Sequence, residues 1–188
     1  MRPLNPIITA NTTLKRTNKM SALILGVAAG VLAAFAERAD AIMTGGNLTP
    51  LGYINTYTWI LVSALLFGFW GAIITTEVQA VIGLITLANP LSWLWPFVNL
   101  VFALAVGLIV VGFSKMRPNA KVSTRLLTMS SICAILDIPL VYLVMVIVLG
   151  LPFIVYFAAL PVYLTLQLVP STILAYIVVR AVHRSKIR

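Results

Sequence analysis

From Met20 onward long apolar runs alternate with short polar breaks, and one helical crossing of a bilayer takes about 20 apolar residues. Met20 to Ala36 predicts a first span. Tyr53 to Phe69 and Gly71 to Ala88 read as two short spans joined by a tight Gly68-Phe69-Trp70-Gly71 turn, because one straight helix over both would overshoot the hydrocarbon. Glycines on both sides of the bend support the split. Asn89-Pro90 breaks the pattern, Ser92 to Pro96 carries two tryptophans suited to an interfacial belt, and Phe97 to Phe113 brings the chain back. Leu126 to Leu149 is a fifth span containing Asp137 and Pro139. Leu151 to Val182 exceeds one crossing and is punctuated by Pro152, Pro161 and Pro170. Leu151 to Leu160 is therefore read as an apolar, partly re-entrant outer segment and Val162 to Val182 as the sixth span, which requires the non-helical backbone to be covered by protein.

Composition and charge turn this pattern into a topology. With 61% hydrophobic and 9% charged residues, the chain has no polar shell for water. Nearly all Lys and Arg fall in three groups: Arg2, Lys15, Arg16 and Lys19; Lys115, Arg117, Lys121 and Arg125; Arg180, Arg184, Lys186 and Arg188. Cytoplasmic loops retain such residues, so all three groups belong inside and each interval holds an even number of crossings. Four spans before the central group and two after it satisfy this. The expectation is an all-α integral membrane protein with six transmembrane helices and both termini cytoplasmic, residues 1–19 forming a cytoplasmic segment and 20–185 the transmembrane domain. The net charge of +9 faces anionic inner-leaflet lipid rather than nucleic acid, since no polar segment interleaves aromatic and basic residues. Lys15, Arg16 and Lys19, the run Ser21 to Ala36 and Ala39-Asp40-Ala41 imitate a secretory signal, but the run has a packing pattern of its own and is read as an uncut helix. Cys133, alone, is a small packing residue.

That packing pattern is Ala22, Gly26, Gly30 and Ala34 at i, i+4 spacing, flanked by Ala29 and Ala33. In lipid such a seam lets helices approach closely, either inside this bundle or against another membrane subunit. The ladder, the polar loop Glu37 to Gly52 and the stretch Leu61 to Gly112 resemble the substrate-binding S-components of energy-coupling factor (ECF) vitamin transporters. That stretch contains Ala64-Leu65-Leu66-Phe67-Gly68, Gly71, Asn89-Pro90 and Gly107. The similarity spans roughly residues 20 to 185. Gly26 and Gly30 replace alanines of the family's AxxxAxxxA docking pattern but keep its smallness. The resemblance implies a vitamin-capture subunit in a prokaryotic cell membrane that docks through its first helix to a transmembrane coupling (T) subunit working with two ATPase subunits. No GxxxxGK[ST] phosphate loop occurs in the chain. It further implies a solute held in the outer half of the bundle, under the loops Arg38 to Gly52, Asn89 to Pro96 and Gly150 to Pro161, and a subunit that topples to carry the solute inward.

Polar residues within the spans mark the candidate site. A mid-bilayer carboxylate costs about 2.5 to 3.5 kcal/mol on insertion scales, so Glu77 and Asp137 should face a cavity or a partner. At about 1.5 Å of rise per residue they lie roughly 9 Å and 16 Å from the inner ends of their spans. Structurally, each is served by hydrogen bonds to neighbours such as Thr75, Thr76 or Ser131. Functionally, with no basic residue inside the spans, they recognise a cationic or hydrogen-bond-donating solute. Gln79, Asn99, Trp59, Tyr163 and Gln167 are further candidates, with Asn55 and Tyr57 behind them, and Trp93 and Trp95 serve as interface anchors or as aromatic walls for a flat heterocycle. Glu37, Arg38 and Asp40 are expected as a solvated loop cluster, and His183 at the inner surface. No metal-ligand spacing and no nucleophile–base set is present, so neither a cofactor nor an enzyme is expected. Among the family's vitamins, thiamine or its pyrimidine precursor fits two acids best. The alternative is a structural or assembly subunit of a larger membrane complex without a solute site.

Overall fold

The computed structural model describes residues 19–44, 50–86 and 93–185, and all regular structure among them is helical. Helix α1 is Lys19–Thr44, α2 is Pro50–Thr86 and α3 is Trp95–Met116. Helix α4, Val122–Tyr142, runs into a π-helical turn, Leu143–Val148. Helix α5, Phe153–Leu166, passes through a second π turn, Gln167–Ser171, into α6, Thr172–Ser185. Four segments are long and apolar enough to cross a membrane: Leu51–Thr86, Trp95–Met116, Val122–Val148 and Phe153–Val182. The polar breaks at Asn89-Pro90 and Ser92, the signal-like Lys15 and Arg16, and the outermost members of the terminal basic groups lie outside the described residues.

Helix α2 is not straight. Gly68 has φ 75 and ψ −159, a conformation open mainly to glycine, and the chain reverses there. Thr75 donates to Ser63 Oγ at 2.8 Å and Gln79 to Thr56 Oγ1 at 2.5 Å. In a straight helix those pairs would stand about 18 Å and 35 Å apart. The first arm therefore lies antiparallel to the second, with the turn the glycine spacing predicted centred on Gly68. Helix α1 packs on both arms: Asn55 Nδ2 donates to the Ala33 carbonyl at 3.2 Å, and Thr75 Oγ1 to the Gly26 carbonyl at 3.1 Å. Helix α3 runs back along the second arm, where Asn99 meets the Thr76 carbonyl and Gly107 meets the Phe69 ring. Helices α4 and α5 are antiparallel, since Ser130 reaches the Gln167 carbonyl and Tyr156 the Ile138 carbonyl.

These directions gather the start of α1, the α3–α4 turn with Arg117 and Lys121, and the end of α6 with Arg184 at one end of the bundle. The first arm of α2 is central. It buries Ile60, Leu61, Val62 and Ala64 against Phe102 and Val106 of α3, Leu126 and Met129 of α4, and Ala175 and Val179 of α6. Outward-facing residues are apolar as well, with Phe35 67%, Ile135 63% and Ile154 73% exposed. A chain apolar inside and out suits lipid as its solvent.

Two expectations are corrected. The segment Leu151 to Leu160 is not an irregular re-entrant stretch: from Phe153 it is helical and continuous with the last span. Pro152 starts the helix at its cap, Pro161 sits within it, and Pro170 is absorbed by the π turn Gln167–Ser171. A π turn and neighbouring helices supply what the missing N–H removes. Trp95 and Pro96 likewise form the first turn of α3 rather than a loop before it.

Candidate functional site

At the end of the bundle away from the basic groups, three helices bring their polar residues together. Asp137, 3% exposed, projects from α4 two residues before Pro139. Tyr53 and Tyr57, one turn apart on the first arm of α2, donate to its two oxygens, Tyr53 to Oδ2 and Tyr57 to Oδ1 at 2.9 Å. Gln167, at the start of the second π turn, is fully buried. With its amide oriented by its partners, it donates to Asp137 Oδ2 at 2.6 Å and accepts from the Ala134 N–H at 3.2 Å. An ionised carboxylate only accepts, so donors from α2 and from the π turn are its natural neighbours.

Aromatic rings close the sides. Tyr53 lies 4.7 Å from Tyr57 and 5.1 Å from Tyr163, ring centroid to centroid, and Tyr57 meets Phe102 edge-on at 5.4 Å. The buried thiol of Cys133 stands one helical turn before Asp137. The cluster thus combines tilted and edge-on aromatic rings with one carboxylate. A cation within about 6 Å of a ring face is attracted by its quadrupole, so the chemistry on offer is recognition of a positive, flat group.

Of the residues singled out from the pattern, Asp137, Tyr57, Tyr163 and Gln167 meet here. The others do not. Gln79 donates to Glu37 Oε2 at 3.0 Å in the α1–α2 seam, and Trp59 donates to Asn55 Oδ1 at 3.0 Å beside it. Asn99 donates to the Thr76 carbonyl at 3.4 Å between α2 and α3. Trp93 is 53% exposed, while the half-buried Trp95 keeps an enclosed indole N–H with no partner among the described residues. Glu77 is half-buried and its Oε1 has no partner among the described residues. The hydroxyls of Thr75 and Thr76 are engaged elsewhere, with Gly26, Ser63 and the Ala72 and Ile73 carbonyls. Tyr53 was missed and Tyr57 underweighted. The signal was there, because two tyrosines at i, i+4 on one span put both hydroxyls on one face.

The expected solvated cluster at Glu37, Arg38 and Asp40 is also corrected. Asp40 is 3% exposed and accepts from the Gly52 N–H at 2.7 Å, and Glu37 accepts from Gln79, so both carboxylates tie α1 to α2. The ladder on α1 meets its own chain. A side chain at Gly26 would come within 3.2 Å of Ile74, and one at Gly30 within 2.6 Å of the Thr75 carbonyl. Ala34 is buried too, and the side chains of Ala22 and His183 lie outside the described residues. Gly26 and Gly30 therefore face α2. Among the described residues no group of three or more His, Cys, Asp or Glu side chains is arranged to hold a metal ion. Comparison of the chain with protein families, with curated proteins and with solved structures finds no match.

Proposed function

We propose that the protein crosses the membrane six times, with its basic end cytoplasmic, and captures a small, flat, cationic heterocycle at the Asp137 cage from the opposite side. The two arms of α2 would each be a crossing, and α1 another. In this reading it serves as the substrate-capture subunit of an ECF-type vitamin transporter, with thiamine or its pyrimidine precursor as the favoured solute. The observation that carries the reading is a buried carboxylate met by neutral donors and aromatic rings. A T subunit with its two ATPase subunits would have to dock on a face other than Gly26 and Gly30, whose face α2 covers.

Titration calorimetry with thiamine, its pyrimidine moiety, riboflavin and biotin tests the solute class. Thiamine or the pyrimidine should bind most tightly, and tight binding of the anionic biotin would overturn the proposal. Cysteine labelling should place positions 121 and 188 inside and positions 46 and 93 outside; external labelling at 121 would remove the six-crossing topology. One observation favours the second reading, a structural subunit: the acceptors of Asp137 are already filled from within the chain. Mass spectrometry of the purified, mildly denatured protein separates the two, since only a capture subunit releases a small molecule.

A further inference from the structure

The donors around Asp137 are not equivalent. Tyr57 and Gln167 are 4% and 0% exposed, and Tyr57 is held edge-on by Phe102. Tyr53 is only half-buried, sits in the first turn of α2, and lies between Tyr57 and Tyr163 with its ring tilted 56° to each. Its hydroxyl shares Asp137 Oδ2 with the Gln167 amide. Tyr53 is thus the most exposed of the three donors, and a rotation of this one side chain would leave Oδ2 with the Gln167 amide alone without moving a helix.

Resting on the solute site proposed above, we infer that Tyr53 is a displaceable internal ligand, whose hydroxyl occupies Asp137 Oδ2 in the empty protein and yields it to the cationic solute. Because the hydroxyl lies on the ring axis, the ring swings about χ1 with it and lines the solute from its new position. The bond between Tyr53 and Asp137 then exists only in the empty state, and an interaction confined to the empty state opposes binding. Removing that hydroxyl should tighten binding, the opposite sign from an ordinary lining residue. Tyr57, whose bond to Oδ1 persists in both states, should show the ordinary sign.

The test is thiamine titration calorimetry on the full chain in detergent, with wild type, Tyr53→Phe, Tyr53→Leu, Tyr57→Phe and Asp137→Asn. Tyr53→Phe should bind about tenfold more tightly than wild type, since a hydrogen bond to an ionised acceptor no longer has to be broken. Tyr53→Leu should bind more weakly than Tyr53→Phe because the ring wall is gone, and Tyr57→Phe and Asp137→Asn should both weaken binding. In thermal unfolding, Tyr53→Phe should lower the Tm of the empty protein and enlarge the rise that thiamine produces. Should the variant fail to fold, 19F NMR of 3-fluorotyrosine at position 53 replaces it: its resonance should move on saturation with thiamine, and a stationary resonance overturns the inference. Unchanged or weaker thiamine binding by Tyr53→Phe, with Asp137→Asn still impaired, overturns the role of Tyr53 and leaves the site standing. Equal binding by wild type and Asp137→Asn, or none by wild type, overturns both.

Discussion

Along the α1–α2 seam the helices meet closely at glycines and several polar groups bond to backbone, whereas around Asp137 long side chains and aromatic rings meet a carboxylate. In the seam, Thr75 reaches the Gly26 carbonyl at 3.1 Å across a contact in which even a methyl group at Gly30 would strike the Thr75 carbonyl. Around Asp137, hydroxyls and an amide from α2 and the π turn reach a carboxylate 80 or more residues from the tyrosines. Both arrangements satisfy polar groups where no water is available. Seam bonds end largely on backbone, so breaking them means separating helices. Cage bonds join side chains that rotate independently, beside Pro139 and the π turns Leu143–Val148 and Gln167–Ser171. The seam has the character of a frame and the cage that of an adjustable part.

The largest expected effect lies in the frame. Gly30→Leu should abolish a monodisperse, folded protein, and Gly30→Ala should cost about 1 to 3 kcal/mol by overpacking. Gly26→Ala, whose nearest neighbours stand at 3.2 and 3.3 Å, should cost less. Thermal unfolding in detergent gives the order, and a Gly26→Ala variant no more stable than Gly30→Ala would show that the seam is not closest where the geometry puts it.

Next comes Asp137→Asn, which sets an amide N–H₂ against three donors and should weaken thiamine binding by about 1.5 to 3 kcal/mol in calorimetry. Glu77→Gln, outside the cage, should change that affinity far less, and an equal loss would move the site toward Glu77. Gln79→Leu removes the donor to Glu37 and should lower stability by about 1 to 2 kcal/mol, leaving thiamine affinity unchanged. A loss of affinity there would show that frame and cage are coupled. Smallest is Trp93→Ala, exposed and apart from both regions, with a stability change within about 0.5 kcal/mol.

Much of the architecture was legible from single residues. The apolar runs marked where the helices lie, and the glycines around position 68 marked the reversal of α2, because in a long apolar helix only a residue free to adopt φ 75 turns the chain so sharply. The prolines misled. Pro152, Pro161 and Pro170 suggested a broken segment, yet a helix among other helices can lose an N–H and recover through a π turn. Asp137 was legible as costly, but its partners were not, since nothing local links positions 53, 57 and 167 to 137.

By itself, the sequence determined the solvent, where the apolar helices run and the end at which the positive charge collects, because hydropathy and the cost of a buried cation act residue by residue. Only the tertiary structure decided which acids are satisfied by what. Glu37 and Asp40 turned from loop residues into ties between α1 and α2. Glu77 was left outside the cage, and Gly26 and Gly30 face the chain's own hairpin. Spacing along a helix says which residues share a face, but the partner of that face depends on how far apart the neighbouring helices stand, and side chains distant in sequence set that distance.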